Sequence, residues 1–223
     1  MREDGLTSHE MVTESLEARS LDIPDVQVFR AEHRADERGY VVVTYTKRGL
    51  AQLGAAFEVV QENHCWSRRA GTVRGFHYQL PPHGQAKLIR VTRGRILDVN
   101  VDLRRGSPSF GQHVRVELDP ETWNQVLVPV GFAHCYWTLT DDVEVIFKLD
   151  CEYAPSHARG LRWNDPDLGI EWPVSERDAI VLERDLTRPR FRDLTEFFPL
   201  SAASTRPTHA PMDQAGAAKD DRS

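Results

Sequence analysis

Between residues 25 and 155 the chain reads as a series of short apolar-rich segments, some of which alternate apolar and polar residues with a period of two. That spacing predicts short β-strands rather than helices. The stretches VQVFRAEH, YVVVTYT, TVRGFHYQL, KLIRVTRGRILDVNVDLR, HVRVELD, NQVLVPV, FAHCYWTLT and VEVIFKLDCEY are rich in Val, Ile, Tyr, Phe and Thr, residues that suit a pleated, half-buried surface. The turn-forming runs ERG, TRG, RRGSPSFG, LDPET, PVG and TDD separate them. In ILDVNVDL, Leu97, Val99, Val101 and Leu103 point one way and Asp98, Asn100 and Asp102 the other. At least two of those polar residues are expected to face solvent. No helical pattern intervenes between the strands, which disfavours a parallel α/β fold and favours an all-β sandwich or barrel. One internal helix is expected at KRGLAQLGA, from Lys47, and a short one near Phe191–Phe198, closing the loop-rich segment from Ser156 to Pro199.

The chain divides into an N-terminal extension (1–24), a folded domain (25–200) and a C-terminal tail (201–223). The extension is polar and acidic, with at most a short helix around Ser8–Arg19. The tail is Ala, Ser, Thr, Pro and charge without apolar periodicity, and is expected to be disordered because it buries too little surface to offset ordering entropy. A net charge of −6 argues against nucleic acid or an acidic membrane as partner. It leaves room for a phosphorylated small molecule held by a local group of arginines. Cys65, Cys135 and Cys151 are odd in number and match no zinc spacing, so reduced thiols in a cytoplasmic protein are expected. No stretch is long and apolar enough to span a membrane, and the N-terminus lacks the apolar core of a signal peptide.

The strongest candidate chemistry lies between Val73 and Gly111. Regular alternation places Arg74, Phe76 and Tyr78 on one face of a strand and Gly75, His77 and Gln79 on the other. If the second face is the barrel interior, His77 shares it with Gln79 and with Lys87 of the next strand. A histidine there is a competent general base, and a cationic lysine beside a ketone stabilises an enolate. A satisfied core histidine and a surface lysine fit the same pattern. His134, in PVGFAHCYWTLT, projects from the start of another strand. Two separated histidines without an H-x-H pair or a clear carboxylate partner fall short of the ligands a transition metal requires, so no metal is expected.

The run RGFHYQ–PP–QAKLIRVTRGRILDVNVDLRRGSPSFG, then PVGFAHCY, then APSHARGLRWNDPDLGIEWP, closely resembles the dTDP-4-dehydrorhamnose 3,5-epimerase family. The resemblance runs from about Asp36 to Phe191, some two-thirds of the chain, with its motifs in the expected order. It implies a cupin-type jelly-roll barrel, homodimeric and without cofactor or metal. It also implies a nucleotide-sugar substrate, a nucleotide-diphospho-4-keto-6-deoxyglucose. By the resemblance, His77 is the base, Asp185 its orienting carboxylate, and Lys87 the cation beside the ketone oxygen. Arg74 and His134 hold diphosphate and sugar, and Gln61, Asn63 and Ser67 form a substrate-binding strand. Arg38, in DERGY, reaches the nucleotide, often from the partner subunit, and Tyr153 stacks on the base.

Two positions depart from the family pattern. Its acidic tyrosine falls at Phe147, and its glutamate in D-x-R-G-x-x-x-E falls at Val43, which puts thymine preference in question. Loss of the acid favours inversion at C3 only, unless Tyr136 or Tyr78 substitutes. The alternatives are a cupin-type sugar 3,4-ketoisomerase, which GLRWNDPDLGIEWP and RGFH disfavour, and a retired sugar-nucleotide-binding protein. Retention of His77, Asp185 and Lys87 together argues against the latter. A metal-dependent cupin oxygenase ranks third.

Overall fold

The computed structural model describes residues 16–173 and 175–200. Two antiparallel sheets face each other. The six-stranded sheet runs β1 (Leu16–Ser20), β2 (Gln27–Ala31), β11 (Asn124–Val128), β7 (Lys87–Arg93), β13 (Val143–Leu149) and β5 (Gln61–Ser67). The five-stranded sheet runs β10 (His113–Leu118), β8 (Ile96–Asp102), β12 (Phe132–Thr138), β6 (Val73–Gln79) and β14 (Ala158–Gly160). A separate hairpin joins β3 (Arg34–Asp36) to β4 (Gly39–Val41), and the short β9 (Arg104–Arg105) pairs in parallel with β15 (Phe198–Pro199). This is the expected all-β cupin-type jelly roll, in which most pairings join strands distant in sequence.

Helix α1 (Lys47–Gln52) forms where expected, capped by Thr46, whose hydroxyl accepts from the Gly49 N–H at 2.9 Å. Two local expectations are corrected. Leu16–Ser20, which overlaps the C-terminal end of the segment around Ser8–Arg19 expected to hold at most a short helix, is a strand paired with β2 along its whole length. The rest of that segment, and the C-terminal tail, lie outside the described residues. Near Phe191 the chain makes a single 3-10 turn, Phe191–Asp193, and then enters β15. Among the described residues no helix is long and apolar enough to cross a membrane.

The core is layered. Between the sheets pack Val28, Ile89, Val91, Ile96, Val114, Val116, Val126, Phe132, Tyr136 and Val145. The outer face of the five-stranded sheet carries Val99, Val101, Leu103, Cys135 and Trp137 and is covered by Leu161, Trp163, Leu168 and Phe198 of the C-terminal wrap. The outer face of the six-stranded sheet packs Phe29, Leu88 and Leu127 against Leu50, Ala55 and Phe57.

The alternation in β8 is therefore real, but neither of its faces meets water. Leu97, Val99 and Val101 turn outward beneath the wrap, while Asp98, Asn100 and Asp102 turn inward and are 0 % exposed. The expectation that at least two of the three face solvent is corrected. A polar row survives inside because its members bond one another or nearby side chains. Asp102, for example, accepts both Arg104 Nε at 2.9 Å and Nη2 at 2.7 Å, together with the hydroxyls of Ser107 (2.6 Å) and Ser109 (2.7 Å).

A β-bulge in β6 corrects a second expectation. His77 lies opposite His134 and Arg74 opposite Tyr136, so three steps along β6 match two along β12. The extra residue brings Arg74 onto the inner face with His77, while Phe76 and Tyr78 pack outward. Gly75 makes the bulge possible. Its φ is +133°, and a Cβ there would stand 2.5 Å from the His134 carbonyl oxygen and 2.6 Å from Cys135 Cα. Gly75→Ala is accordingly expected to destabilise the fold by about 3 kcal/mol or more, read as a fall in the urea midpoint at unchanged slope.

Candidate active site

The inner faces of β6, β8 and β12 on one side, and of β5, β7 and β13 on the other, converge on one polar region. Register places Gln61, Asn63 and Ser67 of β5 opposite Leu149, Phe147 and Val143 of β13, and Lys87 of β7 opposite both Leu149 and Val128. Opposed residues on antiparallel strands share a face. All of these side chains therefore point toward the sheet that carries His77, Arg74 and His134.

His77 Nε2 lies 3.0 Å from Asp185 Oδ1, across 108 positions of sequence. The imidazole is about one-third exposed, whereas the carboxylate is buried. Asp185 stands on the short helix α2 (Glu183–Leu186), and its position comes from the C-terminal wrap. Asp165, in WNDPDLG, caps a 3-10 turn through the Asp167 N–H at 3.0 Å and accepts the Phe191 N–H at 2.5 Å. The Arg162 N–H donates to the Pro189 carbonyl at 2.9 Å. Together these bonds pin the TRPRF turn that follows α2. Burial raises the Asp185 carboxyl, but the His77 hydrogen bond and the charges of Arg184 and Arg188 outweigh it, and the group is held below the usual carboxylate range. An ionised Asp185 accepting from Nε2–H leaves Nδ1 of His77 with a free lone pair, the arrangement of an oriented base.

Lys87 is buried on the inner face. Desolvation pulls its ammonium down to about 8, opposed by the charges of Asp150 and Asp98. Its proton is thus held loosely near neutrality, which suits a donor to a developing oxyanion. His134 Nε2 lies 2.7 Å from Asp98 Oδ2, and Asn100 Nδ2 donates to Asp98 Oδ1 at 2.6 Å. Arg74 Nε donates to Ser67 Oγ at 3.1 Å and Nη2 to the Trp66 carbonyl at 3.0 Å, which fixes the guanidinium at the mouth between β5 and β6. Gln61 donates to Asn63 Oδ1 at 2.8 Å and accepts the Tyr153 N–H at 2.8 Å, tying the loop that carries the exposed Tyr153 to the same rim.

Phe147 completes the wall contributed by the six-stranded sheet. Its ring lies 5.7 Å from that of His134, edge-on, and 6.0 Å from that of Tyr136. Tyr78 does not reach this region: it packs outward, 6.0 Å from Phe198. Gln79 is taken up in structure, its amide bonded to the His83 and Glu152 carbonyls and the Ala154 N–H. Arg38 stands apart within the chain, its side chain 84 % exposed and paired with Asp36 at 2.6 Å on the turn of the β3–β4 hairpin.

Sequence reading missed Asp98 and Asn100, because alternation alone does not say which face of a strand is wet. It also missed Arg188, which lies 3.6 Å from Asp185 in the same turn. Gly160, where any Cβ would stand 2.6 Å from Arg188 Nε, leaves room for that guanidinium. His77 and His134 face each other in register, yet each is bonded to its own carboxylate. Among the described residues no three His, Cys, Asp or Glu side chains converge as metal ligands.

Proteins of known activity resemble the chain over most of its length. Residues 20–193 match the family model described as dTDP-4-dehydrorhamnose 3,5-epimerase. The enzyme of that name from Pseudomonas aeruginosa is 40 % identical over 179 residues, spanning 80 % of this chain and 97 % of that one. NovW, a 4-keto-6-deoxy sugar epimerase from the novobiocin cluster of Streptomyces spheroides, superposes with a TM-score of 0.78 at 30 % identity, covering 85 % of this chain and 96 % of its own. ChmJ, a 3'-monoepimerase from Streptomyces bikiniensis solved with dTDP-quinovose, gives 0.71 at 34 % identity, covering 77 % and 86 %. The chain belongs to the dTDP-4-dehydrorhamnose 3,5-epimerase family.

Proposed function

We propose that the protein epimerises dTDP-4-keto-6-deoxyglucose by removing a proton beside the ketone and returning one to the opposite face, acting at C3. The observation that carries this reading is the His77–Asp185 pair on the same inner surface as the buried Lys87. His77 Nδ1 takes the C3 proton, the electrons move onto the C4 oxygen, and the Lys87 ammonium stabilises the resulting enolate. These steps require a base, an acid and a cation, and no cofactor. Arg74 and His134 hold the diphosphate and sugar, a planar guanidinium suiting paired phosphate oxygens. Ser67, Asn63 and Gln61 line the entry, and Tyr153 stacks on the base.

Restriction to C3 is supported by Phe147, which brings no ionisable group to the wall where a hydroxyl would serve a second centre, and by the likeness to a 3'-monoepimerase. The working unit in this reading is a homodimer, with Arg38 reaching the partner's nucleotide site. The exposed Tyr40, Val41 and Trp66 support that assembly, being large apolar side chains on the hairpin and on edge strand β5.

The first test is NMR of dTDP-4-keto-6-deoxyglucose incubated with the protein in D₂O. Deuterium incorporation with inversion is expected at C3 and no inversion at C5; exchange at neither carbon would overturn the reading. Asp185→Asn should slow C3 exchange roughly 10²–10⁴-fold while substrate affinity, measured by calorimetry, changes little. Lys87 acts as a cation, so the rate should fall as pH rises through about 8, and Lys87→Met should leave a low residual rate without that alkaline limb. Phe147→Tyr should add inversion at C5; its failure to do so would count against the assigned role of position 147.

A further inference from the structure

Epimerisation at any one carbon requires that a proton taken from one face be replaced on the other, and Phe147 cannot supply it. The inner wall beside it carries another hydroxyl. Tyr136 projects inward from β12, opposite Arg74, and its ring packs 6.0 Å from Phe147 at an interplanar angle of 37°. It springs from the same sheet as His77. Its phenol end nevertheless reaches the neighbourhood of Ser67 and Cys65 on β5, in the opposite sheet, with Arg74 alongside. The hydroxyl therefore lies between the two sheets, beside β5 of the six-stranded one.

That hydroxyl is buried, and among the described residues it meets no hydrogen-bond partner of good geometry. A buried polar group without a partner costs about 1–3 kcal/mol; a phenylalanine would fill the same space without that cost. Most neighbouring polar groups of the inner wall are satisfied within the protein: His134 by Asp98, Ser67 by Arg74, and the Asp98 carboxylate by both His134 and Asn100. Asn100 Oδ1 shares the lack of a partner, but it is an acceptor and has no proton to donate from that atom. An unmatched donor beside the site is the pattern of a group whose partner is the substrate, since catalytic hydrogen bonds are often unmade in the unliganded enzyme. Burial pushes the phenol up to about 12, with Arg74 and Ser67 pulling the other way, so the group holds its proton at neutral pH.

We propose that Tyr136 is the general acid of this enzyme, donating its phenolic proton to C3 on the face opposite His77. This rests on the epimerase reading above. In the step, the enolate's carbon–carbon π electrons form the new C3–H bond with the Tyr136 proton and the C4 carbonyl re-forms. The phenolate left behind lies beside the Arg74 charge. The His77 imidazolium and the phenolate return to their starting states by proton exchange with water, so no other reactant is consumed.

The test separates proton removal from inversion. In D₂O, wild type is expected both to incorporate deuterium at C3 and to invert that centre. Tyr136→Phe removes only an unpartnered hydroxyl and should keep its melting temperature. It should still exchange the C3 proton with retention, within a few-fold of wild type, while inversion falls roughly 10²–10⁴-fold. Tyr136→Phe combined with Phe147→Tyr should recover inversion, because it restores a phenol on the same wall. Tyr136→Phe inverting at the wild-type rate would overturn the proposal and leave the epimerase reading intact. Loss of exchange and inversion together in the folded variant would also overturn it, by placing Tyr136 in binding or in support of the base. A wild type that neither exchanges nor inverts would remove the epimerase reading itself, and this proposal with it.

Discussion

Placing ionisable side chains between two sheets is costly, several kcal/mol for each ion that goes unpaired, and the interior of this barrel is organised around meeting that cost. Asp98, fully buried on β8, is bonded by His134 on one oxygen and by Asn100 on the other. Asp185, almost as buried, is held by His77 and by the charges of Arg184 and Arg188. Asp102 is closed off by Arg104, Ser107 and Ser109, with the Arg104 guanidinium lying 4.6 Å from the Phe132 ring centroid and reaching Asp25 at 2.8 Å. Lys87 is left the least compensated, and the low position of its ammonium records that. Removing one partner from any of these sets would strand a buried charge, so the polar groups constrain one another's positions as firmly as the apolar packing does.

A polar interior is tolerable because apolar burial is supplied on three levels. The lower part of the intersheet space is aliphatic, and each sheet also has its outer face covered. The covering of the five-stranded sheet serves two ends. Trp163 and Trp172 pack against Trp137, with ring centroids 5.6–5.9 Å apart, and fix the C-terminal wrap on the sheet. The same wrap delivers Asp185 to His77. Stability and chemistry are thereby coupled through one segment.

The interior has a phenylalanine at position 147 and a hydroxyl at position 136, on the neighbouring ring. Two aromatic rings in contact can exchange which of them carries the oxygen with little effect on packing, because a hydroxyl adds little volume. Reactivity is far more sensitive, since a proton donor must lie within hydrogen-bond reach of the carbon it serves.

The period-two alternation, the β-rich composition and the turn residues were enough to indicate an all-β sandwich or barrel with α1 at Lys47, and the family resemblance carried by the motifs from Arg74 to Phe191 was enough to nominate His77, Lys87, His134 and Asp185. Local pattern carries that much because strand period and turn chemistry act over a few residues. It did not reveal that the polar face of β8 is interior, since alternation is identical whether the second face meets water or another sheet. Nor did it reveal that Arg74 shares a face with His77, since a one-residue bulge reverses the phase, and Gly75 signals it only once the close approach to β12 is seen. The His77–Asp185 contact, the seating of Asp98 beneath His134 and the packing of the Tyr136 ring beside Phe147 join residues from 11 to 108 positions apart. Such contacts are decided by how the strands pair and the wrap closes, which only the tertiary structure sets.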